Sequence, residues 1–504
     1  MEPILDVRRT VAIIDVGSNS VRLLVARELT DSAFEVLDEE RFDARLGQGQ
    51  VNGMVAPAAF ERGLRAMRVM SEVARSHHPD MITTVGTEAL RRAPNAPEFI
   101  ATVKEQAGLE VRLLSAQEEA YASFLGVVNS TPIRDGSIVD LGGGSLELIK
   151  VEERSLTSYL SVPLGSIYAT QRYLKHDPPT RSELRELRNA VLNELGNQRP
   201  SPVLYGVGGA IRNMARIIRQ RRGYPLRRIH GLILKASEVE ALRDSLVATD
   251  AEGRCKIPRV SDTRGEYLHA AAVVIAEAMR LASAKSLVIS GQGLREGLAW
   301  QALRGESPVL SDVRAASVDG LLHSNGVLPA SARVVAEVAR QLFDATKTVH
   351  GLKPIDLELL LAAARLASMG IHVEYYDRDR HAQYLVHSGD LHGFSHREIV
   401  LLGALVRCAD GGPPDLSPYM EVIEAGDQRR VALMAAILGV ARAITRRTPT
   451  PVVSTEAKLR RKVLRVELAA HEPVDAELLA LERQQKRFES TLGIALKPAF
   501  LQLA

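Results

Sequence analysis

The stretch Val11-Ala-Ile-Ile-Asp15-Val-Gly-Ser-Asn-Ser20-Val-Arg22-Leu-Leu-Val-Ala26 places a polar turn between two β-branched runs, which predicts a β-hairpin with a glycine and serine tip. A second stretch, Ser137-Ile-Val-Asp140-Leu-Gly-Gly-Gly-Ser145-Leu-Glu147-Leu-Ile, has the same plan. Asp15 aligns with Asp140, and Ser20 aligns with Ser145. Two copies of one motif on matching strand-turn-strand segments indicate a duplicated domain.

The surrounding pattern predicts an α/β protein with two repeats, 1–131 and 132–306, because short β-branched runs alternate with amphipathic stretches over about the first 300 residues. Beyond them the apolar spacing becomes helical, which predicts a helical domain over 311–447 and a small α+β subdomain over 448–504. The predicted helices cover 58–75, 98–105, 115–128, 332–345, 356–367, 396–408, 431–445 and 475–488, and the further predicted strands cover 81–85 and 463–468.

Composition excludes several classes of protein. The formal charge is only +3 and aromatic residues make up 4% of the chain, which argues against a nucleic-acid-binding protein that stacks bases on aromatic rings. Cys255 and Cys408 are far apart and neither belongs to a CxxC motif, so neither a disulfide framework nor a thiolate zinc site is expected. No signal-peptide pattern or long apolar run is present. We therefore expect a cytoplasmic protein without a DNA, RNA or membrane partner.

A glycine-rich turn headed by an aspartate suits phosphate binding. Glycines let backbone N–H groups approach an anion, and the carboxylate can hold a divalent cation. The expected donors are Ser18, Asn19, Ser20, Gly142, Gly143, Gly144 and Ser145. The alternative is that glycine and serine only close tight hairpins. The shared position of Asp15 and Asp140 favours the phosphate site.

Six segments occur in the order found in one family: Ile14-Asp-Val-Gly-Ser-Asn-Ser-Val-Arg22, Gly86-Thr-Glu-Ala-Leu-Arg-Arg-Ala-Pro-Asn95, Ser115-Ala-Gln-Glu-Glu-Ala120, Asp140-Leu-Gly-Gly-Gly-Ser-Leu-Glu147, Gly206-Val-Gly-Gly209 and Ser290-Gly-Gln-Gly293. Together they resemble the exopolyphosphatase / guanosine pentaphosphate phosphohydrolase (Ppx/GppA) family of the actin-like ATPase superfamily. The resemblance implies two ribonuclease-H-like domains around a phosphate-binding cleft, followed by an α-helical HD-like domain.

The resemblance also implies hydrolysis of a terminal phosphate by water, with Mg²⁺ or Mn²⁺ as cofactor. The water-activating residue of the family maps to Glu119. Ser115 and Glu118 have the spacing of a capping box, which accounts for Glu118 and leaves Glu119 without a structural role. We expect the helix N-terminus to keep Glu119 ionised. The alternative is that Glu119 is a surface carboxylate that only complements the helix dipole.

The family's metal-binding carboxylates correspond to Asp140 and Glu147, and Asp15 is their counterpart in the first hairpin. Gly208 and Gly209 are candidates for the cleft floor, although left-handed turns at strand ends explain them equally well. The cationic candidates for phosphate binding are Arg22, Arg91, Arg92 and Arg264, because guanidinium groups bind phosphate bidentately.

Residues 212–228 carry seven arginines, at 212, 216, 219, 221, 222, 227 and 228. This run is either a solvated face or a guide for a polyanion. In the helical domain, Ala367 and Ser368 stand where the HD dyad of the related fold would be, and neither side chain can replace that dyad at a metal. The later histidines, His372, His381, His387, His392 and His396, lack that partner. We therefore expect this domain to bind the outgoing chain, to form a homodimer interface, or both.

Four functions remain open at this point. The first is an exopolyphosphatase acting on the ends of inorganic polyphosphate. The second is removal of the 5′-phosphate of guanosine pentaphosphate. A third is a non-hydrolytic regulator that binds guanosine tetra- or pentaphosphate or polyphosphate, although such a protein has no need of a water-activating base. The last is an ATPase or sugar kinase, for which the segment after Ser290 offers no obvious adenosine pocket.

Overall fold

The structure is a computed structural model that describes residues 8–49, 53–327 and 329–503. The described residues divide into two compact units, with the main division between Val313 and Arg314. Within the described ranges, no helix combines the length and apolar character needed to cross a lipid bilayer.

The first half of the first unit is a five-stranded sheet with its helices. Its elements are β1 Thr10–Val16, β2 Val21–Thr30, β3 Ala33–Phe42, α1 Pro57–Ser76, β4 Met81–Gly86, α2 Glu88–Arg92, α3 Ala96–Ala107, β5 Val111–Leu113 and α4 Ala116–Val128. The strand order is β3-β2-β1-β4-β5. The first three strands are antiparallel, whereas β4 and β5 run parallel to β1.

The second half repeats this topology. Its elements are β6 Gly136–Leu141, β7 Leu146–Glu152, β8 Ser155–Val162, α5 Ser166–Tyr173, α6 Arg181–Leu195, β9 Leu204–Val207, α7 Gly209–Arg221, β10 Ile233–Lys235, α8 Ala236–Val247, α9 Ala251–Cys255, α10 Asp262–Gly265, α11 Leu268–Leu281, β11 Ser286–Ile289 and α12 Leu294–Arg304. The strand order β8-β7-β6-β9-β11 matches the first sheet, and β10 is an additional edge strand. The duplicated ribonuclease-H-like fold is thus confirmed.

The last helix of each repeat packs on the sheet of the other repeat. Helix α4 buries Phe124 and Leu125 against Ile138 and other residues of the second sheet. Helix α12 buries Leu298 against the first sheet. Because the two helices cross, the two halves form one compact unit. The predicted boundaries at 131 and 306 therefore separate the repeats along the sequence, but each repeat's last helix packs with the other repeat. The proposed domain limits stay predictions.

The second unit contains a helical bundle and a three-stranded sheet. Its elements are α13 Val313–Ser324, α14 Pro329–Ala345, α15 Lys347–His350, α16 Pro354–Leu366, α17 Arg378–Ser388, α18 His396–Arg407, α19 Asp427–Ile444, β12 Val452–Arg460, β13 Val463–Ala470, α20 Asp475–Leu492 and β14 Ala495–Gln502. The sheet order is β12-β13-β14. The predicted strand and helix of the terminal subdomain are present. Its two outer strands are additional, because neither has an apolar alternation strong enough to predict a strand.

Candidate active site

A charged row crosses the first sheet where β1 ends. Asp15 of β1 lies directly opposite Arg22 of β2, and Arg22 lies opposite Arg41 of β3. The Nε of Arg22 donates a hydrogen bond of 3.2 Å to Ser20 Oγ, so these two side chains lie on the same side of the strand. Like charges opposite each other destabilise a sheet, so the arrangement of Arg22 and Arg41 is one that a bound anion would relieve.

The equivalent row of the second sheet is acidic. Asp140 of β6 lies opposite Glu147 of β7, and Glu147 lies opposite Ser161 of β8. Ser161 Oγ donates to Glu147 at 2.9 Å, and Ser123 Oγ donates to Asp140 at 2.5 Å. The two repeats therefore share an aspartate at this place. The residue opposite that aspartate differs, because it is the cation Arg22 in the first sheet and the carboxylate Glu147 in the second. Arg22 in the first row suits phosphate, whereas the carboxylates of the second row suit a cation.

Both hairpin tips close in the same way. Gly17 N–H donates to Ser20 carbonyl at 3.2 Å, and Gly142 N–H donates to Ser145 carbonyl at 3.0 Å. Between these closures, the amide N–H groups of residues 18, 19, 143 and 144 have no hydrogen-bond partner in the part of the chain that the structure describes. Unpaired N–H groups in a turn form an anion-binding concavity.

The two tips face each other across the cleft. A Cβ placed on Gly143 would lie 3.1 Å from Ser18 Cβ, and one on Gly144 would lie 2.8 Å from the Glu88 side chain. Larger residues at 143 and 144 would therefore push the tips apart. Gly208 has φ +109, and a Cβ there would lie 2.3 Å from the Leu141 carbonyl oxygen. Close packing thus requires glycine at this position.

The cleft contains most of the residues predicted for the site. Its lining includes Asp15, Ser18, Asn19, Ser20, Arg22, Glu119, Asp140, Gly142, Gly143, Gly144, Ser145, Glu147, Gly208, Gly209 and Arg264. Arg91 and Arg92 are not part of this lining. Their contact with substrate stays a prediction, since their side chains make the ion pairs described below.

Glu119 is buried at the start of α4, with only 9% of its side chain exposed. This excludes the surface alternative. Ser115 Oγ accepts from the Glu118 amide, and the Glu118 carboxylate accepts from the Ser115 amide, so the capping box is confirmed. The expectation of a readily ionised Glu119 was wrong, because burial raises its pKa to about 7. Loss of hydration outweighs both the helix dipole and the ion pair with Arg91.

Arg91 connects two carboxylates. Its Nη1 pairs with Glu119 Oε2 at 2.5 Å, and its Nη2 pairs with Glu88 Oε2 at 2.7 Å. Nη1 also donates to the Leu114 carbonyl at 2.6 Å. Arg92 pairs with Glu88 and lies over the Tyr168 ring, and 53% of its side chain is exposed. Arg91 therefore fixes the orientation of Glu119, and its charge opposes the effect of burial on the Glu119 pKa.

Two facing aspartates offer oxygens to a cation. Asp15 Oδ1 is buried and has no hydrogen-bond partner among the described residues, and burial raises the Asp15 pKa to about 6. Burial also raises the pKa of Asp140, with the Asp15 carboxylate near enough to interact with it. The pKa of Glu147 is raised well above its usual range by burial and by the neighbouring carboxylates of Glu119 and Asp140. Buried carboxylates of this kind fit a divalent cation.

No group of three or more His, Cys, Asp or Glu side chains that could hold a metal ion occurs within the described ranges. This does not conflict with a Mg²⁺ site, because Mg²⁺ usually takes one or two carboxylates and completes its shell with water and substrate phosphate. Asp15 and Asp140 can supply those carboxylates.

Arg22 and Arg264 meet at the start of α7. A Cβ on Gly209 would lie 3.2 Å from Arg22 Nη2 and 3.6 Å from Arg264 Nη2, and Arg264 Nη1 donates to the Gly209 carbonyl. Burial lowers the Arg22 pKa to about 9, with repulsion from Arg212 and Arg295 adding to it. Burial also lowers the Arg264 pKa to about 10. Two crowded, dehydrated guanidinium groups form a strong site for an anion.

The cleft lining also includes residues outside the predicted site set, namely Arg41, Thr87, Glu88, Ser166, Tyr267, Arg295 and Glu296. Glu88 lies inside the Gly86 segment, and Arg295 lies two residues after Gly293 at the end of the Ser290 segment, so the motifs could have indicated both. Arg41 and Tyr267 carry no such signal. Arg41 reaches the cleft through strand register with Arg22, and Tyr267 OH accepts from Asn19 Nδ2 at 3.2 Å.

In the second unit, the dyad position contains no metal ligand. Ala367 is buried, and Ser368 Oγ accepts from Arg442 Nη1 at 3.3 Å. Arg442 Nε also pairs with Asp410 at 2.8 Å. A guanidinium group therefore lies beside the position of the missing dyad.

Sequence and structure comparisons give the lineage of this chain. The sequence profile of the Ppx/GppA phosphatase family matches residues 24–306, which is more than half of the chain. The chain belongs to the Ppx/GppA phosphatase family. A profile for domain III of the same phosphatase family matches residues 313–486, within the second unit.

Solved structures of this phosphatase family resemble the chain. The Aquifex aeolicus Ppx/GppA family member is 27% identical, with a TM-score of 0.52 over 58% of this chain and 96% of its own. An exopolyphosphatase from Cytophaga hutchinsonii is 23% identical, with a TM-score of 0.55 over 59% of this chain and 98% of its own. The second likeness concerns the fold alone. Family membership makes this chain a phosphatase.

Replacing Arg91 with methionine should move the acidic limb of the pH–rate profile to higher pH. The Glu119 carboxylate has to be ionised to accept a proton, so activity falls as the pH drops through its pKa. Without the Arg91 charge this pKa rises further, by about one to three units. The measurement is kcat/KM against pH at constant metal concentration. Arg91→Lys should restore part of the shift, whereas Arg92→Met is the control because Arg92 pairs with Glu88 and not with Glu119. An unchanged limb in Arg91→Met would contradict the assigned interaction.

Proposed function

We propose that this phosphatase releases orthophosphate from the ends of inorganic polyphosphate. The observation that carries the proposal is the arrangement of Glu119 inside a cleft whose two glycine tips present unpaired N–H groups. The tips suit the terminal phosphate, while Arg22 and Arg264 suit the charge of the next ones. A nearby carboxylate with a pKa of about 7 is matched to accepting a proton from water near neutral pH.

In the proposed reaction, Glu119 orients a water molecule and accepts its proton as the water oxygen bonds to the terminal phosphorus. The bond from that phosphorus to the bridging oxygen breaks, and the bridging oxygen leaves with the electron pair on the shortened chain. The N–H groups of the two tips stabilise charge on the transferring phosphoryl oxygens. Glu119 then gives its proton to solvent.

We propose Asp15 and Asp140 as the residues that hold Mg²⁺ or Mn²⁺, with Glu147 beside them. When bound, the cation would neutralise charge on the scissile phosphate. The unpaired Asp15 oxygen and the raised pKa values of the aspartates support this assignment. The homodimer and the cytoplasmic location also remain proposals, supported by the helical second unit and by the composition.

The deciding experiment measures orthophosphate release from polyphosphate and from guanosine pentaphosphate, in Mg²⁺ and after chelation with EDTA. We expect release from polyphosphate that is lost on chelation and restored by added Mg²⁺ or Mn²⁺. A strong preference for the nucleotide would instead assign guanosine pentaphosphate hydrolysis. Binding of either compound without release would indicate a regulator, and ATP-dependent sugar phosphorylation would indicate a kinase.

A further inference from the structure

Three arginines continue the cationic surface beyond the cleft. We call Arg41, Arg216 and Arg259 the outer arginines. We propose that the outer arginines bind the distal phosphates of an inorganic polyphosphate chain whose end occupies the cleft. This inference rests on the proposed function.

Arg41 is the first outer arginine. It lines the cleft and lies opposite Arg22 in the β2-β3 pair. Its guanidinium group also pairs with Asp43 at 2.7 Å, and 35% of its side chain remains exposed. Arg41 depresses the pKa of Arg22, Arg264 and Arg216, after burial and other neighbours, so its charge acts on both the cleft and the surface beyond it. Arg41 is therefore close enough to interact with the cleft arginines and with Arg216.

Arg216 lies further along α7. The helix begins at Gly209 in the cleft, and Arg216 follows Arg212 by four residues, which places it about one turn, or 5–6 Å, farther from the cleft on the same face. Arg216 is exposed and, within the described residues, its side chain has no hydrogen-bond or ion-pair partner. Although the side chain reaches solvent, partial loss of hydration and then the charges of Arg219, Arg41 and Arg259 lower its pKa. Arg216 is thus a cation surrounded by cations.

Arg259 is held near Arg216 by a strained backbone. Its φ is +77, a value that side-chain-bearing residues rarely adopt. The buried Asn213 side chain donates to the Arg259 carbonyl at 2.6 Å, and Arg259 Nε donates to Gln220 at 3.1 Å. Asn213 and Gln220 both belong to α7, so the loop is fixed on the helix that carries Arg216. Strain of this kind is maintained where the surroundings require the conformation.

The other arginines of residues 212–228 behave differently. Arg212 Nη1 donates a hydrogen bond of 2.8 Å to the Gly291 carbonyl oxygen, and Arg222 forms an ion pair with Glu238. Arg221 Nη2 lies 3.4 Å from Ser245 Oγ of α8. The choice between a solvated face and a polyanion guide stays a prediction for the run as a whole, and Arg216 is the member that we assign to the distal chain.

The test compares the full-length parent protein with an Arg216→Gln/Arg259→Gln double variant in Mg²⁺. The substrates are long-chain polyphosphate and tripolyphosphate, which is too short to extend far beyond the cleft. We expect the KM for the long chain to rise about tenfold, with a much smaller rise for tripolyphosphate, because two charge-assisted contacts are lost. The salt dependence of the long-chain KM should also become shallower, since fewer counterions are released on binding. Arg221→Gln is the matched control.

Each outcome has one meaning. If the double variant keeps the parent preference for long chains and the parent salt dependence, the outer arginines do not bind the chain, although the proposed function stands. If the parent releases no phosphate from either polyphosphate, the proposed function and this inference both fail. An equal loss in Arg221→Gln would show a general charge effect and would overturn the specific assignment.

Discussion

Replacing Glu119 with glutamine should lower kcat by about two to four orders of magnitude, the usual contribution of a positioned general base. Glutamine keeps the size and hydrogen-bonding ability of the side chain but cannot accept a proton from water. Because the N–H groups of the two tips are unchanged, phosphate-chain binding should persist. Orthophosphate release and equilibrium binding of polyphosphate, measured on the same preparation, separate the two effects.

The adjacent residue provides the matched control. Glu118 is half-buried, closes the capping box with Ser115 and pairs with Arg112. Glu118→Gln should therefore cost some helix stability, about 1 kcal/mol or less, and leave kcat nearly unchanged. If Glu119→Gln kept turnover within threefold of the parent, another group would have to activate the water, and the proposed role of Glu119 would be wrong.

The motifs predicted the duplicated hairpins and the cleft because their physics is local. Glycine tips, β-branched runs and a capping box depend on residues a few positions apart. The equivalence of Asp15 and Asp140 also followed from the duplication. Sequence therefore predicted the backbone part of the site well.

The sequence did not predict the properties of the site that depend on how the elements pack together. The raised pKa of Glu119 comes from burial between two sheets, which no local pattern encodes. Arg91 was predicted to contact substrate, but its ion pairs with Glu88 and Glu119 depend on how α2 packs beside α4. The Arg22 and Arg41 pair arises from strand register, for which the sequence around Arg41 gives no distinctive signal.

The crossing of α4 and α12 likewise requires the folded chain, and it has the largest expected effect on stability. Gly297→Ala should lower the free energy of unfolding by about 3 kcal/mol, at the upper end for overpacking in a core. A Cβ at Gly297 would lie 1.8 Å from the Ala122 carbonyl oxygen, and one at Gly126 would lie 2.2 Å from the Gly293 carbonyl oxygen. These atoms are backbone, so the helices have to separate. The clash outweighs the gain of about 1 kcal/mol that alanine gives in an open helix.

Separation of the helices should also displace active-site residues, because α4 carries Glu119 and also Ser123, which donates to Asp140. We therefore expect a lower urea midpoint and a lower kcat at temperatures where Gly297→Ala is still folded. Gly196→Ala is the control, since Gly196 has φ −60 and open space where the Cβ would lie. Its unfolding free energy should change by less than about 1 kcal/mol, with unchanged kcat. A parent-like urea midpoint in Gly297→Ala would contradict the close crossing and, with it, the structural link between the two sheets and Glu119.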